Sequence, residues 1–138
     1  MRILVFGGAG FVGLNIAAAL LACGHAVTLF DRAGLPPDAR KEFALHGDRL
    51  TAIQGDVTDS QAVGKAIATG YDAIILGAAI TAGPAREASD PETILRVNLL
   101  AQAPILIAAF FGSLAFFGAA DVRGDPGRVA AVFCLVAA

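Results

Sequence analysis

The glycines near the amino terminus carry the clearest chemistry in the chain. Gly7-Gly8-Ala9-Gly10-Phe11-Val12-Gly13 follows a short apolar run, Arg2 to Phe6, and opens a longer one, Phe11 to Ala22. Between a strand and a helix, such spacing suits a pyrophosphate. Gly7 allows a tight turn. Gly8 and Gly10 let the backbone approach phosphate with no Cβ in the way, and Gly13 lets the helix pack close to the sheet. The helix N-terminus, with Phe11 and Val12 in its first turn, offers unpaired N–H groups and the positive end of its dipole to an anion. The plainer alternative is a strand–helix turn that holds no ligand.

Three further positions lie where a dinucleotide would need them. Asp31 stands 18 residues after Gly13, at the end of the next apolar run. A carboxylate there can accept both hydroxyls of the adenosine ribose and repels a 2′-phosphate, which favours NAD over NADP. Arg32 beside it could accommodate a 2′-phosphate, which pulls the other way. Asp56-Val57 follows the third run; the carboxylate can take the exocyclic amine of adenine while Val57 packs on the ring. The alternative is an aspartate in the turn before a helix. Gly77-Ala78-Ala79 follows the fourth run, and small residues there leave room for the second ribose and the nicotinamide.

The elements that must position these residues alternate. Arg2 to Phe6, Ala26 to Phe30, Leu50 to Ile53 and Ala73 to Leu76 read as short buried parallel strands. Phe11 to Ala22 reads as a helix stopped by Gly24. Pro36-Pro37 starts a polar helix over Asp38 to His46. Thr58-Asp59-Ser60-Gln61 has the form of a capping box with Thr58 as the cap. Asp90-Pro91 opens a long helix reaching at least Ala103, with Pro104 placed to kink it. The spacing predicts an α/β fold: a Rossmann-like parallel sheet with helices on both faces, with four clear strands and no distinct fifth.

Composition narrows the function classes. Of 138 residues, 57 % are hydrophobic and 16 % charged, and the formal net charge is -2. The chain expects to bury much of itself. No basic cluster points to a nucleic-acid surface. Cys23 and Cys134 are far apart and read as two reduced, buried thiols of a cytoplasmic protein. His25 and His46 have no thiol or acidic neighbour at metal spacing and read as solvated, so no metal site is expected. The apolar amino terminus up to Cys23 superficially resembles a lipoprotein signal, but glycines break it. Val97 to Ala120 carries no charge, long enough to cross a bilayer, yet Asn98, Gln102 and Pro104 dilute it and its first part belongs to the last helix; no membrane span is expected.

Taken in order, Val5-Phe6-Gly7-Gly8-Ala9-Gly10-Phe11-Val12-Gly13, Asp31, Gly55-Asp56-Val57, Gly77-Ala78-Ala79 and Arg96-Val97-Asn98-Leu99 resemble the extended short-chain dehydrogenases/reductases, the NAD-dependent epimerase/dehydratase family. The resemblance covers residues 1 to 105. Phe6 stands where the family usually has Thr, and Leu76 where His is common. Ala79-Ile80-Thr81 and the Arg96-Val97-Asn98 segment look most like the sugar-acid dehydrogenases. The resemblance implies an NAD cofactor, a sugar or sugar-acid hydroxyl as substrate of the full-length protein, and a role for Asn98 in organising the site. Asn98 shares a helical face with Ile94, Val97 and Ala101, so its amide needs internal partners.

The family's chemistry also uses a Ser or Thr at the end of a fifth strand and a Tyr-x-x-x-Lys pair. Phe116 to Pro126, where the hydroxyl is expected, contains none; Ser113 is the nearest. The one tyrosine, Tyr71, has no Lys four residues later, and the last lysine is Lys65. No catalytic residue is therefore assigned. The expectation is an NAD-binding Rossmann portion over residues 1–109 and an apolar tail over 110–138 that reads as truncated or frameshifted. The exposed apolar surface of such a unit favours a homodimer. The alternative function is a dinucleotide-binding module without turnover, a relic or a sensor.

Overall fold

The computed structural model describes residues 1–80, 83–107 and 131–134, the side chains of Arg86 and of 131–134 excepted. Among the described residues, five strands form one sheet: β1 (Arg2–Phe6), β2 (Ala26–Asp31), β3 (Leu50–Gln54), β4 (Ala73–Leu76) and β5 (Ala131–Cys134). Their order is β3-β2-β1-β4-β5, with every neighbouring pair parallel. The chain therefore runs outward from β1 to β3, then returns to the other side of β1. That reversal opens a crevice above the carboxyl end of β1, the place where such sheets bind ligands.

Strand β1 shows why the sheet is covered on both faces. Alternate side chains of a strand point to opposite faces. Ile3 and Val5 join Val27, Leu29 and Ala73 on one face, under Ala17 and Leu21 of α1 (Phe11–Ala22) and Ala39 and Phe43 of α2 (Pro37–Phe43). Leu4 and Phe6 join Phe30, Ile74 and Leu76 on the other, under Val63 and Ala66 of α3 (Ser60–Ala68) and Ile105. Leu4, Val5, Phe6 and Phe30 are completely buried. Each such side chain contributes roughly 1.5–3 kcal/mol by leaving water.

Several expectations are refined. Helix α2 stops at Phe43, and a 3-10 segment, Ala44–Arg49, continues the path, broken at Gly47, whose φ is +55°. The cap of α3 is Asp59 rather than Thr58: its carboxylate accepts from the N–H groups of Gln61 and Ala62. Thr58 is engaged one step earlier, with Asp56. Cys23 is exposed, not buried, because it is the C-cap of α1 in the turn before Gly24. His25 and His46 are half-buried, and His46 Nδ1 lies 3.1 Å from Arg49 Nη2.

The carboxyl-terminal part differs more. A short helix, α4 (Pro84–Ser89), precedes α5 (Pro91–Leu95), whose cap Asp90 accepts from the Thr93 N–H. The long helix then widens into a π turn over Arg96–Leu100, where the Ala101 N–H donates to Arg96 O at 2.8 Å, and resumes as 102–107. Pro104 has no N–H for Leu100 O and crowds that carbonyl, which accounts for disturbance one turn before it. Strand β5 lies within the segment read as an apolar tail, and it pairs with β4 from Ala73↔Ala131 to Leu76↔Cys134. The fifth strand thus ends later in the chain than the Phe116 to Pro126 stretch searched for its hydroxyl; that stretch and Ser113 lie outside the described residues.

Candidate functional site

The turn after β1 is built by close backbone packing. The Gly7 N–H donates to Phe30 O at 2.9 Å, and the Gly8 N–H to the same oxygen at 3.3 Å. Gly7 has φ +76°, and a Cβ there would stand 2.6 Å from the backbone of Gly77 and Ala78. Gly8 turns toward β2, where a Cβ would meet the Leu29 side chain at 2.7 Å. A Cβ on Gly13 would lie 2.3 Å from Gly7 O, so this glycine lets α1 descend onto the turn. These three glycines are required by the fold itself.

Gly10 is different. A Cβ there would find one neighbour, Gly7 O at 3.4 Å, which is ordinary contact. Gly10 lines the cleft and is the N-cap of α1, with no side-chain cap bond. The N–H groups of Phe11, Val12 and Gly13 have no acceptor within the helix, as in any first turn. The Phe11 side chain projects into solvent at 84 % exposure, so its contribution here is its backbone.

The cleft brings most of the expected residues together. Gly7, Gly10, Asp31, Arg32, Asp56, Val57, Gly77, Ala78 and Ala79 all line it. Gly8, Phe11, Val12, Gly13 and Asn98 do not. Asp31 sits beside the glycine turn: Oδ2 accepts from the Ala9 N–H at 3.0 Å and Oδ1 from the Ala33 N–H at 2.9 Å. Asp56 receives the Thr58 N–H at 2.8 Å and the Thr58 hydroxyl at 2.7 Å, both on Oδ1. These bonds, with the Arg32 guanidinium nearby, hold its carboxyl below the usual carboxylate range against a smaller opposing effect of burial. The second oxygen, Oδ2, is the one left to meet a donor in the cleft.

The opposite wall carries two residues that sequence reasoning missed, Ile80 and Val97. Ile80 directly extends Gly77-Ala78-Ala79, and Val97 directly precedes Asn98; adjacency was the available signal. Asn98 meets its expected need for partners by clamping Ile80: Oδ1 accepts from the Ile80 N–H at 2.7 Å and Nδ2 donates to Ile80 O at 3.0 Å. Among the described residues no cluster of metal-ligating side chains occurs, and no helix is long and apolar enough to cross a membrane.

A turn that leaves N–H groups free, two carboxylates on one side of it and small residues on the other together suit a dinucleotide. Comparison with known proteins agrees in fold and family. The chain is 43 % identical over 79 residues to a 3-beta-hydroxysteroid dehydrogenase of Mycolicibacterium neoaurum, covering 57 % of this chain and 19 % of that protein. It is 37 % identical over 110 residues to a dTDP-glucose 4,6-dehydratase of Mycolicibacterium smegmatis, covering 78 % and 32 %. The UDP-glucose 4-epimerase of Thermus thermophilus, solved in complex with NAD, superposes with a TM-score of 0.65 at 28 % identity, covering 81 % of this chain and 35 % of that one. The chain thus spans about a third or less of the length of these relatives. The model of the NAD dependent epimerase/dehydratase family matches residues 3–131, and the chain belongs to that family.

Proposed function

We propose that the cleft is the cofactor site of an epimerase/dehydratase-type oxidoreductase that acts on a sugar or sugar-acid hydroxyl, with NAD taken in preference to NADP. The observation that carries this reading is Gly10. The fold does not need a glycine there, since a Cβ would meet only Gly7 O at 3.4 Å, yet Gly10 is the N-cap of α1 and lines the cleft. The pyrophosphate would rest on the Phe11, Val12 and Gly13 N–H groups in the first turn of α1. Asp31 would accept the adenosine ribose hydroxyls, and its charge disfavours a 2′-phosphate. Asp56 Oδ2 would accept the adenine amine, with Val57 against the ring and Arg32 at the rim. Gly77, Ala78 and Ala79 would border the nicotinamide riboside, and Asn98 would fix that border. When bound, the nicotinamide supplies the hydride acceptor or donor. The chain's own residues bind and orient it. A cytoplasmic location and association into homodimers go with this reading, without nucleic-acid or membrane partners.

A second reading is a dinucleotide-binding module without turnover. One observation favours it for the chain in hand. Tyr71, the single tyrosine, precedes β4, at the end of the sheet away from the cleft, with the Arg2 guanidinium 5.5 Å from its ring centre. It is not placed to exchange a proton with a substrate there. Fluorescence titration with NADH and NADPH, followed by a screen of carbonyl substrates, tests both readings. Tighter binding of NADH with turnover supports the first, binding without turnover the second, and no binding of either cofactor overturns both.

A further inference from the structure

We infer that Gln102 is a positioning residue for the nicotinamide half of the cleft, an inference that rests on the cleft being a dinucleotide site. Residues 77–80, which follow β4, have no regular structure of their own. Their last ladder bond is the Gly77 N–H to Phe6 O, at 2.9 Å. Beyond it the backbone is held by side chains of one helix. The Gln102 Nε2 donates to Ala78 O at 3.3 Å, and Asn98 takes both backbone groups of Ile80.

Two points of attachment fix the direction of a segment where one would let it pivot. Asn98 lies in the π turn and Gln102 opens the helical stretch after it, and both reach the same segment. Gln102 is well anchored for this task. Its neighbours Ala101 and Ile105 are buried at 8 % and 1 % exposure, so the amide is offered from a seated helix. Gln102 does not itself line the cleft, whereas Ala78, Ala79 and Ile80 do. It acts through them.

The geometry also says which half of a ligand would sense it. Asp31 ends β2 and Asp56 follows β3, both on one side of the glycine turn. Residues 77–80 follow β4, on the other. A dinucleotide with its adenosine at the two carboxylates and its pyrophosphate on the turn must place its second riboside against 77–80. Losing the Gln102 bond should therefore weaken ligands that carry the nicotinamide and spare those that lack it.

The test compares NADH with ADP-ribose on the whole chain, by direct fluorescence titration and by competition. For Gln102→Leu, NADH affinity is expected to fall about fivefold, the equivalent of one ordinary hydrogen bond, with ADP-ribose affinity held within about twofold. Unchanged ADP-ribose binding also reports an intact fold. Should Gln102→Leu not fold, Gln102→Glu serves, since it keeps the length and lacks the donor. Equal losses for the two ligands would mean a merely structural role and overturn the inference, as would undiminished NADH affinity. Failure of the unaltered chain to bind either ligand would overturn the reading of the cleft itself, and the inference with it.

Discussion

Thr58 donates twice to a single oxygen of Asp56, through its backbone N–H at 2.8 Å and its hydroxyl at 2.7 Å. Both bonds favour the charged carboxylate, and the Arg32 guanidinium adds to them, so the folded-state pKa lies below the ordinary value. The sign follows directly. A carboxyl depressed on folding contributes stability that is present above its unfolded pKa and is lost as pH falls through the folded one. Thr58→Val removes the hydroxyl bond and keeps the shape. The Asp56 carboxyl is expected to titrate at higher pH in this variant, and acid loss of NADH binding to begin earlier. Carbon-detected NMR titration of the Asp56 carboxyl checks the first, and binding isotherms from pH 7 downward the second. An unshifted titration would show that the hydroxyl does not hold the charge.

Gly10 and Gly13 separate binding from folding. A Cβ on Gly13 would stand 2.3 Å from Gly7 O and 2.7 Å from the Gly8 Cα, both backbone atoms that cannot step aside. Gly13→Ala is expected to destabilise the chain by at least about 1–3 kcal/mol, the usual cost of overpacking. A Cβ on Gly10 would make one ordinary contact at 3.4 Å. Gly10→Ala is therefore expected to leave the denaturant midpoint nearly unchanged while NADH affinity falls at least about tenfold, some 1.4 kcal/mol. Parallel urea unfolding and NADH titration of the two variants make the comparison. Equal destabilisation by both would remove the reason for assigning Gly10 to a ligand.

Asp31 has two tasks that one substitution cannot keep apart, but two can. Its oxygens accept from Ala9 in the glycine turn and from Ala33 just beyond β2, so Asp31→Ala leaves two backbone donors without this partner. A cost of about 1–3 kcal/mol is expected. Asp31→Asn keeps one acceptor oxygen and removes the charge, which should preserve more stability. Both are expected to weaken NAD binding and narrow the gap to NADP. Cofactor affinities for the pair, with unfolding midpoints alongside, measure this; an unchanged NAD-to-NADP ratio in both would refute the placement of Asp31 at the ribose.

The parts of the fold that can be read from sequence are those fixed by local pattern. Strand β1 and helix α1 emerge with the bounds that apolar runs and glycines give them, because the turn between them is dictated by residues within it. The α3 cap falls on Asp59 where the sequence pattern points to Thr58. Both side chains can cap a helix, and only the position of the Asp56 carboxylate decides that Thr58 is already committed. Pro104 reads as a kink in the last helix, but periodicity does not show that the disturbance takes the form of a π turn over Arg96–Leu100. Strand β5 is hidden for another reason: Ala131-Val132-Phe133-Cys134 lies inside an unbroken apolar run from Val129 to Ala138, with no alternation to mark its bounds, and draws its identity from pairing with β4. In the site, the carboxylates and glycines are legible as chemistry. Ile80 is not, because an apolar residue enters a cleft only through where its backbone is held.

That holding is the basis of the last prediction. Asn98 presents an acceptor and a donor, and Ile80 presents the complementary pair, at 2.7 and 3.0 Å. No other neutral side chain of that length offers both at once: Asp keeps the acceptor alone, and Leu keeps neither. Asn98→Leu leaves a part-buried N–H and C=O without their partners, at an expected cost of about 1–3 kcal/mol. Asn98→Asp should be the worse of the two at neutral pH, since it sets a carboxylate against Ile80 O, and should improve as the pH falls toward its own pKa, where the protonated carboxyl can donate. Thermal unfolding of both variants between pH 4 and 8 reads the difference. A pH-independent gap between them would show that the Ile80 carbonyl is not what Asn98 answers.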